Sequence, residues 1–176
     1  MIIKTTDRTL RALRAVADTS DHRTYCHGIH IDHAAGRLVA SDGKVLLAAP
    51  FEVVNPDQVP ADDHMIMLPV IGGRRATPAT AYLDTDRRRV MIEGGKGIER
   101  AYQVGPAKIM EWQRVVKAQP AIKAEERIGV DPRLLEPIAK QLDAACTLEL
   151  HGKDGAISVL WHGYPDLTCL VMPIRI

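Results

Sequence analysis

Two stretches of the 176-residue chain have the apolar periodicity of a helix, and each is followed by segments typical of strands. At about 100° per residue, the apolar side chains of residues 8–18 fall on one face. The second helix is predicted to begin after Asp131, a favourable N-cap, with Pro132 at the first helical position, where an N–H is not needed. The apolar stripes are Leu10, Leu13, Val16 and Ala17 in the first helix and Leu134, Leu135, Ile138 and Leu142 in the second.

The segments around these helices predict strands. Residues 2–4 precede the first helix, and residues 25–32 alternate between apolar and polar side chains, as a half-buried strand does. Residues 37–49 predict a strand pair or a bulged strand that is broken at Asp42 and Gly43. Further strands are predicted at 126–130, 146–150, 156–161 and 167–172. The order β-α-β-β therefore occurs at both ends of the chain and predicts an α+β fold with antiparallel sheets.

The middle of the chain has a weaker pattern. Prolines in residues 50–60 and glycines in residues 71–80 predict loops. Residues 107–118 carry an apolar stripe and predict either a short helix or an extended crossover. Short strands are predicted at 65–70, 81–84, 89–93 and 98–104. We therefore divide the chain into a first half with extra strands (1–105), a connector (106–125) and a second half (126–176).

The composition limits the classes of function. A net charge of +1 gives no overall field that attracts nucleic acid, so any such contact needs a local patch. The three cysteines have no Cys-x-x-Cys spacing, which indicates reduced thiols. The N-terminus lacks the apolar core of a signal peptide, and the longest apolar run, residues 45–51, is too short to span a bilayer. We therefore predict a cytoplasmic protein with no membrane partner.

Histidine and cysteine side chains are dense between residues 22 and 33, a composition that can bind metal. Alternation along the predicted strand places Cys26 and His30 on one face. His27 and His33 fall on the other face, so the ligands do not converge. The sequence also has no glycine-rich phosphate loop, nucleophile elbow or His-Glu-x-x-His motif. We predict no metal, no cofactor and no enzymatic activity, with a small metal-dependent hydrolase as the alternative.

Three segments, in this order along the chain, match the motifs of one known family. They are Gly-Ile-His-Ile through Ser-Asp-Gly-Lys-Val-Leu (28–46), Met-Glu-Trp-Gln-Arg-Val (110–115), and Ile-Gly-Val (128–130) with the closing Val-Met-Pro-Ile-Arg-Ile (171–176). Together they resemble the bacterial DNA polymerase III beta subunit, the sliding clamp. Its counterparts are a strand pair ending in Thr-Asp-Gly-His-Arg-Leu, a Pro-Asp-Tyr-Arg-Arg-Val connector and the end of the third domain. Ser41, Lys44 and Val45 depart from the family's threonine, histidine and arginine.

The resemblance implies a DNA-clamp-like fold, in which two β-α-β-β(-β) halves place their helices on one side of antiparallel sheets. A family clamp is longer, holds three domains and encircles duplex DNA. This chain would therefore be a reduced form that closes a ring only as a homo-oligomer. The implied partners are clamp-binding peptides of DNA polymerase or clamp-loader proteins, and duplex DNA if a ring forms. The alternative is a stand-alone clamp mimic that regulates a replisome without forming a ring.

The matched segments imply two sets of site residues. The family's peptide-binding pocket would be lined here by Ser41, Gly43, Lys44, Val45, Leu46, Arg114, Val115, Leu134, Leu170, Val171, Met172, Pro173, Ile174 and Arg175. The candidates for non-specific phosphate contacts are the basic side chains on the free faces of the two helices, Arg8, Arg11, Arg14, Arg133 and Lys140. The alternatives are an edge-strand core for the first set and ordinary solvated helix faces for the second.

Overall fold

The computed structural model of the chain describes residues 1–55, 64–71, 78–93, 97–105, 111–117, 128–152 and 155–174. Its helices are α1 (Asp7–Val16), α2 (Trp112–Lys117) and α3 (Pro132–Leu142), with a 3₁₀ turn at Thr24–Cys26. The strands are β1 (Ile2–Thr6), β2 (Ile29–Asp32), β3 (Arg37–Ser41), β4 (Val45–Pro50), β5 (Glu52–Val53), β6 (His64–Met67), β7 (Thr80–Asp84), β8 (Arg89–Ile92), β9 (Ile98–Ala101), β10 (Gln103–Gly105), β11 (Cys146–Glu149), β12 (Ile157–Trp161) and β13 (Thr168–Val171).

These strands form two antiparallel sheets. The order is β5-β1-β7-β8-β9 in the five-stranded sheet and β10-β6-β2-β3-β4-β13-β12-β11 in the eight-stranded sheet. Strands β4 and β13 pair with Leu46 opposite Leu170 and Val45 opposite Val171. The eight-stranded sheet therefore joins the first and second halves of the chain directly.

Helix α1 is almost entirely enclosed. It contacts β1 and β7 of the five-stranded sheet, β3 and β4 of the eight-stranded sheet, and α3. The side-chain oxygen of Thr6 caps the helix by accepting the N–H of Thr9 at 3.1 Å. Leu10 and Leu13 are fully buried, and each contributes roughly 1.5–3 kcal/mol of hydrophobic stabilisation. The main core therefore lies around α1, between the two sheets.

Helix α3 begins where the sequence predicts. The carboxylate of Asp131 accepts the N–H of Arg133 at 3.0 Å, and Pro132 is the first helical residue. The helix ends at Asp143, whose φ of 56° is left-handed and whose N–H donates to Ala139. Its buried stripe packs against α1 in the main core, so the two predicted helices are neighbours.

The structure corrects three predicted strands. Residues 25–27 form the end of the 3₁₀ turn, because the N–H of Cys26 donates to Arg23 at 2.9 Å and that of His27 to Thr24 at 3.2 Å. Residues 98–104 divide at Tyr102, where the chain passes from one sheet to the other. Within 126–130, the described residues 128–130 form only an isolated bridge, from Gly129 to Ile174.

The middle of the chain agrees with the predicted set of short strands, since β7, β8 and β9 pair in sequence order. The connector is helical where it is described, because residues 112–117 form α2. No helix in the described part of the chain is long and apolar enough to cross a membrane.

Candidate functional site

The two faces of the eight-stranded sheet bury different hydrophobic clusters. Ile31, Leu38 and Ala40 point towards α1 and belong to the main core. The outer face, opposite α1, carries a second cluster of Val39, Leu46, Ala48, Trp112, Ala156 and Leu170. An antiparallel sheet commonly leaves one face to solvent, so burial on both faces requires a cover. Here the cover consists of the 3₁₀ turn and α2.

The cover is incomplete beside Trp112, where an open cavity of about 300 Å³ remains. Most of its lining is apolar, and two of its apolar side chains, Val115 and Met172, are exposed to solvent. We call this cavity the outer-face pocket. Its lining residues are Arg23, Tyr25, Ser41, Gly43, Lys44, Val45, Leu46, Glu111, Trp112, Val115, Ala156, Leu170 and Met172.

The turn between β3 and β4 shapes one wall of the pocket. Ser41 Oγ donates to the carbonyl of Val45 at 2.7 Å and accepts the N–H of Gly43 at 3.0 Å. The carboxylate of Asp42 accepts the N–H groups of Lys44 and Val45 at 2.8 and 2.7 Å. These bonds satisfy the backbone of the turn internally and fix its shape. The shape of this pocket wall is therefore held by bonds within the turn itself.

Arg23 connects the 3₁₀ turn to this wall. Its guanidinium donates to the carboxylate of Asp21 at 2.9 and 2.7 Å and to the carbonyl of Asp42 at 2.9 Å. This pairing holds the pKa of Asp21 well below its usual range. A Cβ on Gly43 would meet the same guanidinium, and Gly43 also has a φ of 82°. Glycine is therefore favoured in the turn beneath Arg23, chiefly because the backbone there is left-handed.

The charged groups of the pocket lie at its rim. Lys44 and Glu111 are exposed, and the carboxylate of Glu111 lies 3.4 Å from Arg114. The N–H of Met172 donates to the carbonyl of Lys44 at 2.8 Å, which holds the end of β13 against the turn. An apolar floor with charges of both signs at the rim suits a ligand that inserts apolar side chains and is oriented by polar groups.

Solved structures that are similar to this chain in fold include DNA polymerase III beta sliding clamps. The clamp from Thermotoga maritima matches 100% of this chain and 66% of its own, with a TM-score of 0.62 and 13% identity. The clamp from Bartonella birtlesii, solved bound to griselimycin, matches over 99% and 66%, with a TM-score of 0.61 and 14% identity. For the clamp from Caulobacter crescentus the values are 99%, 65%, 0.58 and 13%. The chain has the sliding-clamp fold.

The predicted clamp-like α+β fold is thereby confirmed. No protein-family model matches the sequence, and no curated protein does either. The chain spans 65–66% of the length of the three solved clamps. The likeness to the clamps is therefore one of fold at low sequence identity.

Many of the pocket residues that the clamp resemblance implies lie together in the outer-face pocket. The predicted residues that line the outer-face pocket are Ser41, Gly43, Lys44, Val45, Leu46, Val115, Leu170 and Met172. The lining residues that sequence reasoning missed are Arg23, Tyr25, Glu111, Trp112 and Ala156. Glu111 and Trp112 belong to the matched segment 110–115, so the resemblance could have indicated them as pocket residues. Arg23 and Tyr25 gave no such signal, because neither lies in a matched segment.

The other predicted pocket residues lie elsewhere. Val171 is fully buried in the main core, and Leu134 is half-buried against the same core. Arg114 is exposed and lies outside the lining, although its guanidinium is 3.4 Å from the carboxylate of Glu111, which is a lining residue. Pro173 and Ile174 follow β13 beyond the lining, and Arg175 lies outside the described residues. The first five of these residues therefore lie outside the lining of the outer-face pocket in this structure.

The arginines of α1 do not form a free basic face. Arg11 is buried and pairs with the carboxylate of Asp7 at 3.1 Å, so its predicted exposure is wrong. Arg8 donates to the last carbonyl of α3 and Arg14 to the carbonyl of Leu68, both at 3.1 Å. These side chains have partners inside the protein because α1 is enclosed by the two sheets and α3.

Two predicted phosphate-contacting residues remain on the surface. Arg133 is 85% exposed and pairs with Asp131 at 2.8 Å. Lys140 is also exposed and pairs with Glu136 one turn earlier in α3. Both charges are therefore accessible, although each has a carboxylate beside it that reduces the local positive field.

The histidine-rich segment serves the fold. His30 is buried, and its Nε2 donates to the carbonyl of Tyr25 at 2.7 Å. Burial lowers the pKa of His30 below its ordinary value. The Nε2 of His27 lies 2.6 Å from the carbonyl of Asp21. Among the described residues, no three His, Cys, Asp or Glu side chains come together to hold a metal ion.

Proposed function

We propose that this chain is a non-enzymatic, clamp-like docking protein for DNA replication or repair. It binds short clamp-binding peptides of DNA polymerase or clamp-loader proteins in the outer-face pocket. The observation that carries the proposal is the assembly of this pocket from three distant segments, at 41–46, 111–115 and 170–172. These are the segments that resemble the clamp motifs, and pairing of β4 with β13 brings two of them together.

The chemistry of the pocket supports a peptide ligand with apolar side chains. Its floor is a hydrophobic cluster separate from the main core, and its edge leaves Val115 and Met172 partly in solvent. Covering such surface gains roughly 25 cal/mol per Å² of apolar area. The flexible thioether of Met172 can adapt to more than one partner. Among the solved clamps, one is bound to griselimycin, and one holds polyethylene glycol in its proposed beta-motif tethering region.

The same structure gives less support to a DNA-encircling ring. Sliding on DNA needs several cations that face the phosphates, since each neutralised phosphate contributes to non-specific affinity. In the described part of α1 and α3, only Arg133 and Lys140 of the predicted set are well exposed. We therefore propose the stand-alone docking protein, including a replisome regulator, ahead of the homo-oligomeric ring.

The docking proposal is tested with a fluorescein-labelled clamp-binding peptide, titrated by fluorescence anisotropy. Val115→Asp places a charge against the apolar floor, so we expect affinity to fall at least about tenfold. Met172→Ala removes apolar contact without adding charge, and its loss should be smaller. Val54→Asp is the matched control, because Val54 is 49% exposed against 44% for Val115 and lies outside the pocket.

Two results contradict the docking proposal. One is a wild-type chain that does not bind the peptide, and the other is equal affinity in wild type and Val115→Asp. The ring has a separate test, which is light scattering with and without duplex DNA. A monomer under both conditions excludes the ring and leaves the docking protein in place.

A further inference from the structure

Helix α2 forms one side of the outer-face pocket although it has only six residues. A helix that short has little stability of its own, so contacts with the rest of the protein must hold it. Within its described residues, Trp112 and Val116 pack against the cluster on the outer face of the sheet. The position of Val115 in the pocket therefore depends on how Trp112 is seated.

The buried carboxylate of Asp32 anchors this tryptophan. The indole N–H of Trp112 donates to Asp32, with 2.8 Å between Nε1 and Oδ2. The side-chain amide of Gln113 donates to the same oxygen at 3.2 Å. The other oxygen of Asp32 accepts the N–H of Ala35 at 2.8 Å, which fixes the turn after β2. One carboxylate, only 6% exposed, therefore ties α2 to a residue 80 positions earlier in the chain.

Asp32 is not part of the pocket lining, whereas Trp112 is. Without the carboxylate, the buried indole N–H would lose its acceptor, and a buried unsatisfied donor carries a desolvation penalty. That penalty is relieved when Trp112 leaves the sheet and its N–H reaches water. Because Glu111 and Val115 lie on either side of Trp112 in sequence, the pocket wall would move with it.

We propose that Asp32 is a positioning residue for the outer-face pocket. By accepting the indole N–H of Trp112, it holds α2 in the position that binds peptide. The inference rests on the proposed function and adds that the seating of α2 and peptide binding are coupled. The measured affinity then falls in proportion to the fraction of molecules in which α2 is seated. A peptide that contacts Val115 favours the seated helix in return.

The first test uses the full chain with Asp32→Asn, which keeps the size of the side chain but leaves a single acceptor oxygen. We expect the labelled clamp-binding peptide to bind about tenfold more weakly, the effect of losing one hydrogen bond to a charged group. Trp112→Phe removes the indole N–H itself, and with it the bond to Asp32, and keeps an aromatic ring. We expect a similar loss, and a double variant that binds no worse than the weaker single variant.

The second test needs no peptide. The chain has two tryptophans, so a nitrogen–proton correlation spectrum contains two indole signals, and Trp112→Phe identifies the signal of Trp112. In Asp32→Asn we expect this signal to shift and to exchange faster with water, while the signal of Trp161 stays in place. This readout reports the anchoring of α2 directly.

Asp84 provides the matched control. It too is a buried carboxylate at the end of a strand, 7% exposed, and its Oδ1 accepts the turn N–H groups of Asp86 and Arg87 at 3.1 and 3.0 Å. It lies in the five-stranded sheet and outside the pocket. Asp84→Asn therefore weakens a turn without touching α2, and we expect unchanged peptide affinity.

The outcomes separate the inference from the function on which it rests. Equal peptide affinity in Asp32→Asn and wild type overturns the positioning role, and so does an equal loss in Asp84→Asn, which would indicate general destabilisation. If the wild-type chain binds no peptide, the proposed function fails and the indole signal decides alone. An unshifted Trp112 signal in Asp32→Asn then overturns the anchor.

Discussion

The β2–β3 hairpin and the β7–β8 hairpin have the same local design. In each, an aspartate ends the first strand and its carboxylate accepts at least one N–H of a four-residue turn. Each turn ends in a residue with left-handed backbone, with φ of 63° at Gly36 and 54° at Arg88. The carbonyls of these two residues accept N–H groups from Phe51 and Tyr102, which follow the third strand of each set. The chain therefore builds one antiparallel unit twice.

The two units differ in what covers their outer faces. All four residues of β2 are buried, and on the outer face His30 bonds to Tyr25 of the 3₁₀ turn and Asp32 to Trp112 of α2. In β7 and β8 buried residues alternate with half-buried or exposed ones, as in a sheet with one face towards solvent. The outer-face pocket lies on the unit whose outer face is covered, the one that contains β2 and β3. The hairpin alone therefore does not form a site. The candidate site forms where the 3₁₀ turn and α2 pack over the outer face of the β2–β3 unit.

The largest expected difference between the hairpins is the stability that each aspartate supplies. Asp32→Asn should lower the free energy of unfolding by about 2–3 kcal/mol, because hydrogen bonds to a buried charge from a turn and from α2 are weakened together. Asp84→Asn should cost about 1 kcal/mol, since its carboxylate serves mainly the turn. Urea unfolding of both variants measures the difference. Equal costs would mean that the bond to Trp112 contributes nothing.

The covered hairpin should also respond to pH. Burial lowers the pKa of His30 below 6.5, because protonation would place a second N–H and a charge in the covered face. The unfolded chain then binds the proton more readily than the folded chain. The contribution of His30 to the free energy of unfolding therefore has its full value above about pH 6.5. It declines as the pH falls towards the pKa of His30 in the folded chain, by at most about 1.4 kcal/mol per pH unit.

His30→Gln tests this pH dependence, because glutamine can still donate to the carbonyl of Tyr25 but does not titrate. Urea unfolding between pH 5 and pH 8 should show a shallower slope in His30→Gln than in wild type. Tyr82 occupies the equivalent place in the other hairpin, and burial raises its pKa, so it stays neutral in this range. Tyr82→Phe should keep the wild-type slope. Identical slopes in all three proteins would contradict the role assigned to His30.

These comparisons also show what the sequence could predict. The caps and apolar stripe of α3 are local signals, so its start at Pro132 could be read directly. The pocket wall at 41–46 and 170–172 could be located only through the clamp resemblance. The bond between Asp32 and Trp112 joins residues 80 positions apart, and no periodicity or motif contains such a contact. This contact between distant residues forms only when α2 packs on the sheet.

Two of the predictions failed because of a second covered face. Arg11 was assigned to solvent because a helix usually buries one stripe, but α1 contacts both sheets and α3. Residues 25–32 were predicted to be a half-buried strand from their alternation. In the structure β2 is buried on both sides, so the alternation carries no information about exposure there. Sequence patterns report one buried face and cannot report what covers the other.

The turn residues provide a smaller test of the repeated design. Gly36→Ala should lower the free energy of unfolding by about 1 kcal/mol, because a residue with a Cβ is strained in left-handed backbone. No atom among the described residues lies within 4 Å of the added Cβ, so the cost is conformational rather than steric. Urea unfolding measures it. A neutral result would mean that the β2–β3 turn relaxes to another geometry.

The reciprocal change should have the smallest effect and the opposite sign. Arg88→Gly relieves a left-handed strain of about 1–2 kcal/mol, but glycine loses about 0.5–1 kcal/mol more conformational entropy on folding. The exposed side chain of Arg88 also lies close enough to Tyr102 to influence its ionisation, and that interaction is lost. We therefore expect a net gain of about 0.5 kcal/mol in urea unfolding. A loss of stability would show that the Arg88 side chain holds the turn against Tyr102, and that the two hairpins are alike in backbone only.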